Sequence, residues 1–249
     1  MKESECIFGL RAVIEAIKAG KQIDRLLVRQ GLHGALYHEL MIEVRKHNIV
    51  YQIVPLERIE LVTRKNHQGV LAWLSLIEYQ NITNLLPMIF EKGQDPLIIT
   101  LDRISDVRNF GAIVRNAECL GAHAIIIPEK GSAGITADAI KTSAGALHSF
   151  PVCREKSLVR SIEYLKESGL KVICADEKTG KIASDVLLTG PLVLILGSEE
   201  EGISRKLTTM ADYQVRIPIT GTISSLNVSV AAGILLYEIM RQRSTSINR

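Results

Sequence analysis

The chain has 249 residues, 47% of them hydrophobic, with a net charge of +3 and a pI near 8.6. That is enough apolar material for one or two sizeable cores, and enough positive charge to permit an anionic partner without demanding one. The four scattered cysteines (Cys6, Cys119, Cys153, Cys174) form no CxxC pair and no zinc-ligand spacing with histidine, so they read as small apolar core residues of a reducing compartment. With no secretory leader and no apolar run long enough for a bilayer, the expectation is a soluble cytoplasmic protein without a metal. Aromatics at 4% argue against base-stacking RNA modules.

In chain order, residues 8–19 carry Leu10, Val13, Ile14 and Ile17 on one helical face, with Gly20 as the stop. A strand at 25–29, a helix at 35–47, a strand at 49–54 and a helical turn over 57–62, opened by Pro55, come next. The basic turn Arg64-Lys65-Asn66-His67-Gln68-Gly69 leads into a strand at 70–77. Residues 1–79 thus read as a small alternating α/β domain. Residues 80–96, with Asn81, Asn84, Pro87, Gly93 and Pro96, read as a linker holding a helical piece at 85–90.

The second domain, 97–249, opens with the continuous apolar run LIITL at 97–101, as a buried parallel strand would. Helices are expected at 109–120, 136–147, 159–168 and 204–210, and strands at 124–128, 150–153, 171–175, 192–196 and 215–219. The long apolar helix from Val228 onward ends near the basic pair Arg241 and Arg243. This alternation predicts a mostly parallel sheet covered on both faces, with ligands beyond the carboxyl ends of its strands.

Three polar loops follow apolar strands in this domain. The first, 102–115, contains Arg103, Arg108, Asn109, Gly111 and Arg115, with Asn109 suited to cap the next helix. The second, 196–202, brackets three carboxylates between Gly197 and Gly202, where Gly197 would admit a close backbone approach to a ligand. The third, 216–227, is rich in small hydroxyl residues. Ser224, Ser225 and Asn227 can cap the long helix, or its free N–H groups can face a ligand. None is a dinucleotide fingerprint, a P-loop or a nucleophile elbow.

Together the loops spell Asn-x-Gly-x-x-x-Arg (Asn109, Gly111, Arg115), Leu-Gly-x-Glu-x-x-Gly (Leu196, Gly197, Glu199, Gly202) and Ile-Pro-x-x-Gly-x-x-x-Ser-Leu-Asn-Val-Ser-x-Ala (Ile217 to Ala231). In order and spacing they resemble the three motifs of the SpoU (TrmH) branch of the SPOUT methyltransferases. Residues 1–79, with His67-Gln68-Gly69-Val70, are similar to the L30e-like substrate-binding domain of its RlmB-type members, the 23S rRNA guanosine-2′-O-methyltransferases.

The resemblance implies a deep trefoil knot threaded by the C-terminal helix, S-adenosylmethionine as cofactor, and a homodimer whose active site borrows a residue across the interface. It also implies methyl transfer to a ribose 2′-hydroxyl of large-subunit rRNA, with tRNA as the rival substrate. It assigns Arg115 the central catalytic role, with Asn109 shaping its loop, Glu199 holding Arg115 or Asn227, and Ser225 and Asn227 facing the reacting hydroxyl. Ala175, Leu196, Gly197, Ile217 and Leu226 become cofactor contacts, with Thr142, Ser143 and Gly145 a looser group. Arg64, Lys65, His67, Gln68, Arg103 and Arg108 become RNA contacts, with Arg11 and Arg29 as further candidates. Residues 1–80 hold 11 Lys and Arg against 9 Asp and Glu, so charge by itself hardly favours RNA there. Val107, where the family usually has Pro, and Glu200, where a small residue is common, depart from the pattern.

Overall fold

The computed structural model describes residues 6–177, 181–223 and 225–247, with side chains described up to 245. Ser224, one of the expected caps, lies outside the described residues. The chain divides into two compact units, Met1–Glu78 and Tyr79–Arg249.

In the first unit, β1 (Cys6–Phe8), α1 (Leu10–Lys18), β2 (Ile23–Arg29), α2 (Ala35–Lys46), β3 (Tyr51–Val54), α3 (Leu56–Glu60) and β4 (Val70–Leu74) build a four-stranded sheet in the order β1-β4-β2-β3. β2 runs parallel to β3 and antiparallel to β4. Strand alternation sends Leu26, Val28, Val70 and Ala72 into one core with α1 and α2, and Leu27, Leu71 and Trp73 into a second with Ile59 of α3. Two covered faces explain why β4, Val-Leu-Ala-Trp-Leu, reads as a continuous apolar run. β1 escapes sequence reading because three residues show no period; it pairs with Leu71–Trp73 of β4.

The 64–69 turn is held from within. Gln68, at φ +50°, accepts a hydrogen bond from the Leu10 N–H at 3.0 Å and so caps α1, while His67 Nδ1 accepts from the Gly69 N–H at 3.0 Å.

The second unit contains α4 (Ile82–Glu91), β5 (Leu97–Asp102), α5 (Val107–Cys119), β6 (Ala124–Pro128), α6 (Ala137–Thr142), β7 (Val152–Glu155), α7 (Leu158–Glu167), β8 (Lys171–Ala175), β9 (Leu192–Gly197), α8 (Arg205–Thr208), β10 (Tyr213–Val215) and α9 (Val228–Ile247). Among the described residues its six strands are all parallel, in the order β10-β8-β9-β5-β6-β7. One face packs Ile98, Ile126, Val172, Cys174, Val193 and Ile195 against α4, α7 and Leu207 of α8. α5 and α9 pack against each other, and α9 also meets β9. Beyond the sheet, Arg243 near the end of α9 donates to the carbonyls of Asp95, Pro96 and Gly190, at 3.0, 3.1 and 2.6 Å. Gln242 donates to Val186 O and accepts from the Leu188 N–H.

The stretch 80–96 is no linker: Ile82, Leu86 and Ile89 put one face of α4 into the core of the second unit. Pro87 lies inside that helix on its exposed side, away from the buried face. The helix expected at 136–147 breaks after Thr142, where Ala144 and Gly145 take left-handed φ of +51° and +87°. The strand expected at 215–219 is instead Tyr213–Val215; from Ile217 the chain leaves the sheet with Pro218, which lacks a donor. Of the cysteines, only Cys153 and Cys174 are buried; Cys6 is half-buried and Cys119 exposed. Burial pushes the thiols of Cys153 and Cys174 up to about 12, which removes them as thiolate nucleophiles. Among the described residues, no helix is long and apolar enough to cross a membrane, and no cluster of His, Cys, Asp or Glu could hold a metal.

Candidate active site

The carboxyl ends of β8 and β9 and the segment after β10 open onto one cleft of about 290 Å³, near the lower end of the ~300–1,000 Å³ usual for small-molecule sites. Ala175, Leu196, Gly197, Ile217 and Leu226, the five expected cofactor residues, all line it, as do Glu199 and Ser225. Its wall also contains Asp176, Glu177, Glu200, Glu201 and Arg216, which motif reading missed. Their position directly after strands of a parallel sheet was the available signal. Ile219 and Leu226 each keep 37% exposure at this cleft, an apolar surface with little protein over it.

One loop's lining of the cleft has an internal cause. A Cβ added at Gly197 would lie 2.2 Å from the Gly202 carbonyl carbon and 2.4 Å from the Ile203 nitrogen. Gly197 is therefore required by the loop folding back on itself, as Gly202 donates its N–H to Ser198 O at 2.9 Å, whatever approaches it in the cleft. We expect Gly197→Ala to displace backbone on both sides at a cost of about 1–3 kcal/mol, read as a fall in melting temperature of roughly 3–10 °C.

The three motif loops meet at Glu199. Its Oε1 accepts from Asn109 Nδ2 at 3.2 Å, from Asn227 Nδ2 at 2.7 Å and from the Val228 N–H at 3.2 Å. Asn227 also donates to Asn109 Oδ1 at 2.9 Å. Its own Oδ1 accepts from the Ser229 and Val230 N–H groups at 3.0 and 3.4 Å, capping α9. A carboxylate at the start of a 20-residue helix also sits where the helix dipole favours negative charge.

The cap of α5 is Asp106, which accepts from the Arg108 and Asn109 N–H groups at 2.9 and 2.7 Å. This corrects the expectation that Asn109 caps it. Relieved of that task, the Asn109 side chain turns to Glu199 and Asn227. The same cap holds the loop without a proline at Val107, which occupies the first helical position.

Arg115 stands apart from this network. It is exposed on α5, does not line the cleft, and has no hydrogen-bond or ion-pair partner among the described residues. Glu199 accordingly holds Asn227 and Asn109, not Arg115. Ser225 is exposed at the cleft and does not cap α9, where Asn227 serves.

The expected RNA contacts divide. Arg64 and Lys65 are exposed, the latter with its ammonium 5.9 Å from the Phe8 ring centre, and Arg108 is exposed on the first turn of α5. His67 is engaged inside its own turn, and Gln68 is engaged at the start of α1. Arg103 is also engaged, bonding Glu201 and the Gly202 carbonyl. Arg11 is exposed and Arg29 half-buried.

Thr142 and Ser143 are packing residues: a Cβ at Gly111 would come within 2.8 Å of Thr142 Cβ and 2.7 Å of Ala139 O. Ser143 Oγ bonds Ile140 O and the Leu147 N–H. They and Gly145 lie outside the cleft lining.

The residues fit S-adenosylmethionine. Apolar Leu196, Ile217 and Leu226 suit an adenine, strand-end backbone groups suit its polar edge, and five carboxylates against one arginine suit a sulfonium cation.

Comparison with known proteins agrees. The SpoU rRNA Methylase family profile matches residues 96–237, and an RNA 2′-O ribose methyltransferase substrate-binding profile matches residues 6–80. YacO of Bacillus subtilis, named for the TrmH family of tRNA/rRNA methyltransferases, is 32% identical over 98% of both chains. A Staphylococcus aureus protein named for the same family is 32% identical over 97% of both. The SpoU methyltransferase AviRb of Streptomyces viridochromogenes, 27% identical, superposes with a TM-score of 0.62 over 97% of this chain and 90% of its own. AviRb has also been crystallised with the cofactor AdoMet; that chain is 26% identical, with a TM-score of 0.62 over 96% of this chain and 90% of its own. With its three motif loops gathered on one cleft and profile matches over both units, the chain belongs to the SpoU (TrmH) family of S-adenosylmethionine-dependent RNA methyltransferases.

Proposed function

We propose that this enzyme methylates a ribose 2′-hydroxyl of RNA, with a guanosine of 23S rRNA as the target. The observation that carries the reading is the junction of Asn109, Glu199 and Asn227 at the rim of the cleft. When bound, the cofactor supplies a methyl group whose leaving group is a neutral thioether, so no general acid is needed. The chain must position a hydroxyl in line with that methyl and manage the proton it loses; positioning of this kind is worth ~7–11 kcal/mol. Asn109, Glu199 and Asn227 hold the loops that define the geometry, and Ser225 presents its hydroxyl at the cleft. A guanidinium does not deprotonate in proteins, so Arg115 acts as a cation. It stabilises charge developing on the 2′-oxygen or orients a phosphate that accepts the proton.

Arg115 stands away from its own cleft, which supports a composite site in a homodimer. Val230, Ile234 and Tyr237 form an exposed apolar stripe on α9, which packs beside α5. We propose that two copies pair through that stripe and that Arg115 completes the partner's cleft. The contacts of Arg243 and Gln242 with residues 95–96 and 186–190 support a threaded, knotted α9.

The first unit, matched by a substrate-binding profile, offers Arg64 and Lys65 as phosphate contacts, and Arg108 offers another on the second. The presence of that unit favours rRNA. tRNA stays the second reading, because a structure called an A. aeolicus TrmH/SpoU tRNA modifying enzyme aligns with 61% of this chain, at 30% identity and a TM-score of 0.57. An RNA substrate supports the expectation of activity in the cytoplasm. Incubation with labelled S-adenosylmethionine and either 23S rRNA or bulk tRNA tests the choice: label confined to rRNA supports it, and label confined to tRNA overturns it.

A further inference from the structure

In the loop 102–115, Arg103 has a left-handed backbone without being glycine or asparagine, at φ +60°. L side chains rarely adopt that conformation, and it persists only where surrounding contacts hold it. Here the contacts are specific. The guanidinium bonds the Glu201 carboxylate through Nη1, donates to Gly202 O through Nη2 at 3.1 Å, and places Nε 3.6 Å from Asp102 Oδ1. Asp102, buried at the end of β5, accepts the Ser204 N–H at 2.7 Å. Residues 102 and 103 therefore grip both the tip and the exit of the 198–204 loop. That loop is a wall of the cleft and the platform for Glu199.

Resting on the methyltransferase reading above, we propose that Arg103 is a positioning residue for catalysis. Its side chain fixes the 198–204 loop so that Glu199 meets Asn109, Asn227 and the start of α9 and the cleft keeps its shape. The expected use of Arg103, gripping an RNA phosphate, is replaced by this internal role. Glu201 neutralises it, and Gly202 occupies the fork that a phosphate would need.

The test is Arg103→Gly, which deletes the clamp while giving position 103 the residue best suited to a positive φ. The pair is partly exposed, 37% for Arg103 and 65% for Glu201, so the effect is modest: about a five-fold rise in the Kd for S-adenosylmethionine and a similar loss of kcat. The melting temperature should be unchanged or higher. Glu201→Gln should reproduce part of the loss, and the double variant should add little to Arg103→Gly, which already removes the Glu201 contact along with those to Gly202 and Asp102. RNA affinity, measured by filter binding, should stay unchanged in Arg103→Gly. Unchanged cofactor binding and turnover in Arg103→Gly would overturn the proposal, as would additive losses in the double variant. A selective loss of RNA affinity would restore the phosphate-contact role and overturn it too. Failure of the wild-type protein to bind S-adenosylmethionine would instead count against the methyltransferase reading itself.

Discussion

Arg115→Ala should reduce methyl transfer by about 10²–10³-fold, the scale for removing a charged group that stabilises a developing oxyanion, while the Kd for S-adenosylmethionine stays within a few-fold. The reasoning is geometric. Arg115 lies outside the cleft lining and bonds nothing among the described residues, so its removal leaves cofactor contacts and loop structure intact. Arg115→Lys keeps the charge but loses the planar fork, and should recover only part of the rate. Single-turnover kinetics beside calorimetric titration with the cofactor separates the two quantities. Equal loss of rate and of cofactor affinity would make Arg115 a structural residue. In a dimer with a shared site, mixing Arg115→Ala with Asn227→Ala should restore up to about one quarter of activity, because random pairing makes half the dimers mixed and each mixed dimer keeps one intact site.

Glu199→Ala should damage both quantities. Its Oε1 serves three donors from two other loops, two side-chain amides and the Val228 N–H. Bonds to a charged acceptor are worth about 1.5–3 kcal/mol each, less where water reaches them. Losing the set should lower kcat/KM by about 100-fold, the equivalent of ~2.7 kcal/mol. Because Glu199 also lines the cleft, the cofactor Kd should rise about ten-fold or more, unlike that of Arg115→Ala. Glu199→Gln keeps an acceptor oxygen at nearly the same size and should fall between the two. A Glu199→Ala variant with normal turnover would mean that the Asn109–Glu199–Asn227 junction is incidental.

Particular residues show what the sequence carried. Apolar runs such as LIITL and LVLIL announced buried parallel strands because both sheet faces are covered, and the spacing of Asn109, Glu199 and Asn227 was legible as a set of motifs. Their mutual bonding was not. Asp106 and Asn109 are equally good caps on paper, and only the placement of α5 decides that Asp106 takes the task. That Gly197 is required by its own loop was hidden, because a glycine required by its loop and one required by a substrate leave the same letter. Pro87 suggested a linker, since a chain reading weighs the breaker before it can see the core that Ile82, Leu86 and Ile89 enter. The ion pair of Arg103 joins residues 98 positions apart, beyond any local pattern. Gln68 and His67 read as a basic, RNA-facing turn, yet their hydrogen bonds close the turn and cap α1.

The central claim is the chemistry of the product. RNA methylated by this enzyme with labelled S-adenosylmethionine can be hydrolysed to completion in alkali, which cleaves each linkage through attack by the neighbouring 2′-oxygen. If the enzyme methylates a ribose 2′-hydroxyl, that attack is blocked at the modified nucleotide, and the label will be recovered in an alkali-resistant dinucleotide. Label recovered in mononucleotides would place the methyl group on a base and contradict the account.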